Sequence, residues 1–290
     1  MLPDELARQI EAIILAADAE FARSMTRVQN TLYESLLAIV KGLEVDEEGY
    51  ILQNTANRRL LSEAEAKISE IFASNLYQNA VSKYVFTIPK VDELNQRYFT
   101  TIPRFKENKQ FLKSLQSQTI KTVEKYILQD GLESQVISPL SQIMNQNVNS
   151  GGKFSGFLQQ IQDYIKGNDK VEGRALSYSR TFLRDSMFTY ARTYQQSVTN
   201  DLQLEFYLYS GGVMDKTRPF CEERTGKFYH HREIEKWAAL EWAGKKSGTT
   251  ESSIFLFAGG WNCAHQIIPV DRNIVPDEVI ERSMQLGFIS

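Results

Sequence analysis

Residues 202–212 read LQLEFYLYSGG, and this stretch decides the fold class because the spacing of apolar residues changes here. The apolar positions Leu202, Leu204, Phe206 and Leu208 alternate with Gln203, Glu205, Tyr207 and Tyr209. Such alternation is typical of a half-buried strand, whereas the residues before it repeat with the period of a helix. The sequence therefore predicts a mostly α protein, with an elongated N-terminal helical region followed by a small C-terminal α+β domain.

An apolar stripe near the start of the chain predicts one long helix, over about residues 4–43. Its members are Ile10, Ile14, Ala17, Phe21, Met25, Val28, Leu32, Leu36 and Leu43. They recur with a mean period of about 3.67 residues, which is close to that of an unstrained α-helix. A stripe that faces the protein's own core explains this pattern, and an intermolecular coiled coil is the alternative.

Turn residues and apolar periodicity divide the rest of the chain. Residues 147–152 read NVNSGG, which tolerates positive φ and predicts a hinge between two domains, 1–146 and 153–290. Two Ile-Pro steps predict an irregular connection over 86–104. Helices are predicted over about 62–83, 107–129, 134–146, 153–166, 173–200, 233–242 and 276–286, and strands over 254–257 and 266–270. In the helix over 173–200, one apolar face is formed by Leu183, Met187, Tyr190, Tyr194 and Val198.

Two segments after the alternating stretch carry the most distinctive residues. Residues 215–221 read DKTRPFC, and residues 259–265 read GGWNCAH. Every cysteine, histidine and tryptophan of the chain lies between positions 221 and 265, so this part differs in composition from the first 220 residues. We expect the two segments to fold against each other at the centre of a small terminal domain.

This succession resembles the C-terminal domain of phage Mu F-like head-morphogenesis proteins, over about residues 173–270. In that family, an Asp-x-Thr-Arg-Pro-x-Cys/His segment and a Gly-Trp-Asn-Cys-Arg-His/Cys segment bracket a variable stretch. The positions that carry the resemblance are Asp215, Thr217, Arg218, Pro219, Cys221, Gly260, Trp261, Asn262, Cys263 and His265. Ala264 stands where the family usually has Arg, so the contact of that arginine is either lost or supplied by another residue.

The resemblance implies a minor head (capsid) protein, present in few copies in the virion head near the portal vertex. Such a protein would act in head morphogenesis in the host cytoplasm, during procapsid assembly and DNA packaging or delivery. The implied partners are the portal protein and capsid components, contacted through the helical region 1–146, together with packaged DNA bound without sequence preference. The resemblance implies a viral structural protein with no enzyme activity, no small-molecule substrate and no membrane partner.

An enzyme is the first alternative. Asp215, Arg218 and His265 are residue types that a nucleic-acid-processing enzyme or a toxin-like transferase would use. The chain has neither a paired-carboxylate metal motif nor a Gly-rich phosphate loop followed by Lys. An ion pair between Asp215 and Arg218 that fixes a turn explains two of the three residues without catalysis.

A DNA-binding head-completion adaptor is the second alternative. Its contacts would come from a basic patch formed by Arg104, Lys106, Lys109 and Lys113. The three lysines are predicted to share one helix face, which a solvated surface helix would also explain. The three tryptophans are more typical of a core than of a platform for stacking bases.

The cysteines and histidines of the two segments supply the atoms of a tetrahedral zinc site, with Cys221, Cys263 and His265 joined by His230 or His231. The Cys-x-His spacing would place two of these side chains on one face of a strand. Three interpretations stay open: a structural zinc ion, two small buried side chains that pack the segments together, and a disulfide or reactive thiol. No other cofactor is predicted.

Overall composition limits the function classes further. The formal net charge is −3, so any contact with DNA has to come from a local patch. No apolar run approaches the roughly 20 residues that span a bilayer. Asp4 and Glu5 stand where a signal peptide would carry basic residues, which predicts a protein made and used in the cytoplasm.

Overall fold

The computed structural model describes residues 1–290, of which 67% are helical and 8% are in strands. The predicted fold class, mostly α with a small α+β part near the C-terminus, is confirmed. The long helices are α1 (Pro3–Val40), α2 (Thr55–Ala73), α3 (Asn75–Val85), α4 (Ile88–Phe99), α5 (Lys109–Lys125), α6 (Ser138–Ser150), α7 (Phe154–Lys166) and α8 (Arg174–Leu202). Two π-helical turns, Tyr126–Asp130 and Glu133–Ile137, lie between α5 and α6.

The C-terminal part combines short helices with strands. Its helices are α9 (Pro219–Glu222), α10 (His231–Lys236), α11 (Ile254–Phe257) and α12 (Asp277–Gln285), with 3-10 turns at Trp237–Ala239 and Arg272–Ile274. The strands of the chain are β1 (Gly167–Asn168), β2 (Val171–Glu172), β3 (Phe206–Ser210), β4 (Lys227–His230) and β5 (Gln266–Val270). Strands β4, β3 and β5 form an antiparallel sheet in that order, and β1 pairs with β2.

The apolar stripe of α1 faces the interior, as the first of the two interpretations predicted. Each of its eight members within the helix is at most 8% exposed, and so is Leu43. Side chains that the chain itself buries are not available for an intermolecular coiled coil. The stripe is therefore part of the core of the chain itself.

The predicted irregular connection over 86–104 is wrong, because α4 occupies most of it. Pro89 lies in the first turn of this helix, where a backbone N–H has no partner within the helix and proline is tolerated. The predicted start at Ser62 is also wrong. Helix α2 begins at Thr55, and the side chain of Asn54 caps it by accepting a hydrogen bond from Asn57 N at 2.8 Å.

Strand β3 is shorter and more buried than the alternation predicted. Leu202 belongs to α8, and Gln203 has a φ of 54°, so the strand begins only at Phe206. All five residues of β3 are buried because it is the central strand of its sheet and both faces are covered. The strand predicted over 254–257 is wrong as well, since α11 occupies it.

The chain divides into two compact units. One unit consists of residues 1–16, 86–119 and 184–290, and the other of residues 17–85 and 120–183. Helices α1, α5 and α8 each contribute residues to both units, so the units alternate along the chain. The predicted hinge over 147–152 lies inside the second unit, at the end of α6, where Gly151 adopts a φ of 66°.

The unit that contains 184–290 has two apolar cores, one on each face of the sheet. Tyr207 and Tyr209 project into the larger core, which also holds the side chains of Phe220, Cys221, Ile234, Trp237, Ile254, Phe255, Ala258, Cys263 and Ile267. Phe206 and Leu208 project to the other face, where Val270, Val275 and Val279 pack against them. None of the helices has the length and the apolar composition needed to cross a bilayer.

Candidate functional site

The two motif segments fold against each other, as the sequence predicted. Arg218 Nη2 donates a hydrogen bond to the carbonyl oxygen of Trp261 at 2.5 Å. The Sγ atoms of Cys221 and Cys263 lie 3.9 Å apart. This proximity follows from the sheet, because the first segment comes after β3, the second comes before β5, and these two strands are antiparallel neighbours.

The first segment is a turn followed by the single turn of α9. Thr217 Oγ1 accepts a hydrogen bond from Met214 N at 2.8 Å, which fixes the turn. The predicted ion pair between Asp215 and Arg218 is wrong, since Asp215 is exposed and the guanidinium of Arg218 is directed to Trp261 instead. Arg218 therefore links the two segments rather than closing its own turn.

The second segment follows α11, and it contains two residues with positive φ and is preceded by a third. Ala258 has a φ of 47°, Gly260 of 95° and Asn262 of 56°. Non-glycine residues in this region are strained by roughly 1–3 kcal/mol each, so the surrounding structure has to hold them in place. Within this segment, Gly259 N donates a hydrogen bond to Cys263 Sγ at 3.3 Å.

Cys221, Cys263 and His265 form a buried cluster whose ligand atoms all lie within 4.8 Å of one another. Cys263 Sγ is 3.8 Å from His265 Nδ1. Both cysteines are free and buried, at 2% and 3% exposure, which fits both the packing interpretation and the zinc interpretation. The predicted strand at 263–265 is wrong, because these residues have no regular secondary structure and β5 begins only at Gln266.

Tyr209 completes this cluster from the central strand. Its hydroxyl donates a hydrogen bond to Cys221 Sγ at 3.2 Å and lies 4.0 Å from Cys263 Sγ. Its ring stacks on that of His265, with 5.3 Å between the ring centroids. The alternating stretch placed Tyr209 in a strand, but no local pattern indicates that its hydroxyl would meet two sulfur atoms.

The two thiols differ in their electrostatics. The hydrogen bond from Cys221, together with His265 and Arg192, lowers the pKa of Cys263 well below its usual value although burial opposes this. The same hydrogen bond and burial raise the pKa of Cys221. Burial also raises the pKa of Tyr209, so this hydroxyl keeps its proton. The cluster therefore favours negative charge on Cys263.

Arg192, on α8, holds the second segment and was missed by the sequence analysis. It is 1% exposed, and its guanidinium donates hydrogen bonds to the carbonyl oxygens of His265 at 3.0 Å, Leu256 at 2.9 Å and Cys263 at 2.5 Å. The predicted apolar face of α8 is confirmed as buried, but Phe188, Arg192, Gln195 and Thr199 are buried too. Because periodicity indicated one buried face only, nothing in the sequence distinguished Arg192 from a surface arginine.

His230 does not belong to the cluster, so its assignment as a metal ligand is wrong. It ends β4, and its Nδ1 accepts a hydrogen bond from Arg232 N at 3.3 Å, which caps α10. Its ring stacks on Phe288 and meets the edge of Phe206. The strand register places His230 opposite Phe206, at the other end of β3 from Ser210, which pairs with Gln266 next to the cluster.

We expect His230 to make stability depend on pH. Burial, together with the positive charges of His231 and Arg232, lowers the pKa of His230 from 6.5 to about 4. In this window the unfolded chain binds a proton that the folded chain does not, so the free energy of unfolding falls as the pH falls from 6.5 to about 4. Urea denaturation at a series of pH values measures this slope.

The matched variant for this prediction is His230→Asn. Asparagine keeps a side-chain acceptor at the start of α10 but does not titrate. The difference in slope between wild type and variant therefore isolates His230 from other groups such as Asp92, whose pKa burial raises to about 6. Equal slopes in the two proteins would show that His230 does not titrate differently in the folded and unfolded states.

The tryptophans are only partly core residues. Trp237 is buried, and Trp242 stacks on Phe220 and donates a hydrogen bond from Nε1 to Gly259 O at 2.9 Å. Trp261 is 50% exposed, with Lys246 Nζ 4.8 Å from the centre of its ring. The prediction of a tryptophan core holds for the first two residues and is wrong for Trp261.

The four basic residues at 104–113 are all exposed. The prediction that three lysines share one helix face is wrong for Lys106, because α5 begins only at Lys109. Lys109 and Lys113 are separated by one helical turn and do share a face. Lys109 Nζ is 3.9 Å from a carboxylate oxygen of Glu107, a weak exposed pair.

No hydrogen bond or ion pair joins the three residues of the enzyme alternative. Asp215 is exposed, Arg218 is bonded to Trp261 O, and His265 is 5% exposed beside Cys263. No family model, curated protein or solved structure compared with the chain matches it.

Proposed function

We propose that this protein is a bacteriophage minor head protein of the Mu F-like head-morphogenesis kind, which binds near the portal vertex during head assembly. The observation that supports the proposal is the packing of the two motif segments, through the bond from Arg218 to Trp261 and the neighbouring sulfur atoms of Cys221 and Cys263. Two segments whose cysteines are 42 residues apart and share one buried centre would be expected to occur together in a protein family.

Binding rather than turnover is favoured by the roles of the motif residues. Thr217 fixes a turn, Arg218 bonds to a backbone carbonyl, and both cysteines are buried in the core. Each of these contacts stabilises the fold of the module. A module of this kind presents its surface to partners, with the portal protein and capsid components as the proposed ones.

The experiment is co-expression of the full chain with the portal and capsid proteins of the same phage genome, followed by gradient sedimentation. We expect the chain to travel with portal oligomers or procapsids at low copy number. As a comparison, the chain alone is incubated with DNA, RNA and nucleotides. Sedimentation only as a free chain, combined with multiple turnover that His265→Ala abolishes, would establish the enzyme alternative in its place.

The exposed basic patch favours one further test, of the DNA-binding alternative. If Lys106, Lys109 and Lys113 contact phosphates, replacing all three by Glu should weaken binding to DNA equally for all sequences. It should also lower the slope of log affinity against log salt by about three. Fluorescence anisotropy with an unrelated duplex, at several salt concentrations, measures both quantities.

The matched control changes three exposed lysines elsewhere, Lys216, Lys227 and Lys236, to Glu. This control alters net charge by the same amount but leaves residues 104–113 intact. Equal binding by the two triple variants would mean that overall charge, and not the patch, determines contact with DNA. Unchanged binding by the patch variant at low salt would remove the DNA-binding alternative.

A further inference from the structure

We propose that the cluster beside Gly259 is a structural metal site that binds one Zn²⁺ through Cys221, Cys263 and His265, with the Tyr209 hydroxyl oxygen at the fourth position. Zinc in structural sites is tetrahedral, with bonds of about 2.3 Å to sulfur and about 2.0 Å to nitrogen. This inference does not depend on the phage assignment, because it concerns only how the two segments are held together.

The distances between ligand atoms fit one ion. Bonds of about 2.3 Å at tetrahedral angles place two sulfur ligands about 3.8 Å apart. The Sγ atoms of Cys221 and Cys263 are 3.9 Å apart. Cys263 Sγ is 3.8 Å from His265 Nδ1, again close to one edge of such a tetrahedron. Three ligands are therefore already in place without movement of the backbone.

Tyr209 occupies the remaining side of the cluster. Its hydroxyl oxygen is 3.2 Å from one sulfur atom and 4.0 Å from the other, so it can approach an ion that both sulfur atoms bind. The residue lies at the centre of the sheet, and its side chain is fully buried. A closed structural site has four ligands, and this oxygen atom is the donor that faces both sulfur atoms. When the ion binds, Cys221 Sγ bonds to the metal as a thiolate and the tyrosine oxygen turns its lone pair to the ion in place of its hydrogen bond to sulfur.

Two features of the surroundings point to a ligand. His265 is buried, and its Nδ1 makes only the long contact to Cys263 Sγ, at 3.8 Å. A metal bond to Nδ1 supplies the close partner that this buried nitrogen atom otherwise lacks. The Gly259 N–H donates to Cys263 Sγ, and hydrogen bonds to the ligand atoms are usual around a bound metal.

The glycine at 259 is required for this arrangement. A Cβ atom at that position would overlap Cys221 Sγ and would lie 2.8 Å from Cys263 Sγ. The backbone therefore closes directly over the two sulfur atoms. Zinc fits this donor set because it accepts sulfur and nitrogen ligands together at tetrahedral geometry.

The first measurement uses the unaltered full chain, purified without a histidine tag from zinc-supplemented medium. Native mass spectrometry and elemental analysis should find about one zinc ion per chain, the stoichiometry of a single tetrahedral site. Titration of the thiols with an organomercurial, in the presence of a zinc indicator, should release this ion as the second thiol reacts. Zinc well below one equivalent, or a disulfide between the two cysteines in place of zinc, would overturn the proposal.

The second measurement replaces zinc by Co²⁺, whose absorption spectrum reports its ligands. We expect sulfur-to-cobalt charge-transfer bands and the visible bands of tetrahedral cobalt. Tyr209→Phe should retain one cobalt ion but change the visible bands, whereas Cys221→Ser/Cys263→Ser should lose the charge-transfer bands. His231→Ala, a change outside the cluster, is the control and should leave the spectrum as in wild type. Octahedral bands in the wild type, or charge-transfer bands in the double variant, would contradict the site.

These results are separable from the test of the phage assignment. A chain that lacks zinc but sediments with portal oligomers would overturn the metal site alone. A chain that holds zinc but does not bind portal or capsid proteins would overturn the assembly function alone.

Discussion

Replacement of Arg192 by Met is expected to lower the free energy of unfolding by about 3–5 kcal/mol. The guanidinium is buried and donates to three backbone carbonyl groups of the second motif segment. Methionine has a similar length but no donor, so these carbonyl oxygens would lose a charged partner in an apolar environment. Urea denaturation followed by tryptophan fluorescence measures the loss, because all three tryptophans lie at positions 237–261.

Two companion variants define what Arg192 contributes. Arg192→Lys keeps the charge but has one nitrogen atom instead of three, so it should recover only part of the stability. Arg97→Met removes an exposed arginine from α4 and should change the free energy of unfolding by less than about 0.5 kcal/mol. If Arg192→Met were as stable as Arg97→Met, the hydrogen bonds to the second segment would not hold it in place.

The long helices could be predicted because their signal is local and repeated. The stripe of α1 recurs over more than thirty residues, and the bounds expected from it differ from the observed ones by three residues or fewer. A helix boundary predicted from a single residue was wrong. Pro89 was interpreted as a break, although proline in the first turn of a helix removes no internal hydrogen bond.

Strand prediction failed where tertiary packing overrides local pattern. Residues 254–257 are all apolar and favour a strand by composition, but a single helical turn there directs Ile254 and Phe255 into the core. In β3, the alternation indicated one buried face. Each face of the sheet is covered by its own apolar core, so the tyrosines are buried as well, and no local pattern encodes which elements cover a face.

The sequence predicted the central residues of the candidate site, but it did not predict the residues that hold them in place. Cys221, Cys263 and His265 were identified from residue type and position, and the structure brings all three together. His230 was grouped with them only because of its chemistry. Tyr209 and Arg192 contribute through contacts across more than fifty residues of chain, and such contacts leave no periodic or compositional signal.

Gly259→Ala provides the sharpest test of how closely the two segments approach. The new methyl group would overlap Cys221 Sγ, and Cys263 Sγ would be 2.8 Å away, so one of the two segments has to move. Both sulfur atoms belong to short, buried side chains that cannot swing aside. We expect the free energy of unfolding to fall by about 3 kcal/mol, the upper range for overpacking a core. Urea denaturation and the reaction rate of the thiols with a disulfide reagent measure the change.

Gly156→Ala is the matched control, and we expect it to leave the free energy of unfolding unchanged or to raise it. Gly156 lies in α7, and a Cβ atom there would meet nothing within 4 Å. Alanine is favoured over glycine in a helix by up to about 1 kcal/mol, so Gly156→Ala should be neutral or stabilising. Protected thiols and full stability in Gly259→Ala would mean that the segments are farther apart than the structure places them. If Gly259→Ala loses stability and exposes its thiols while Gly156→Ala does neither, the close packing of the two segments stabilises the module.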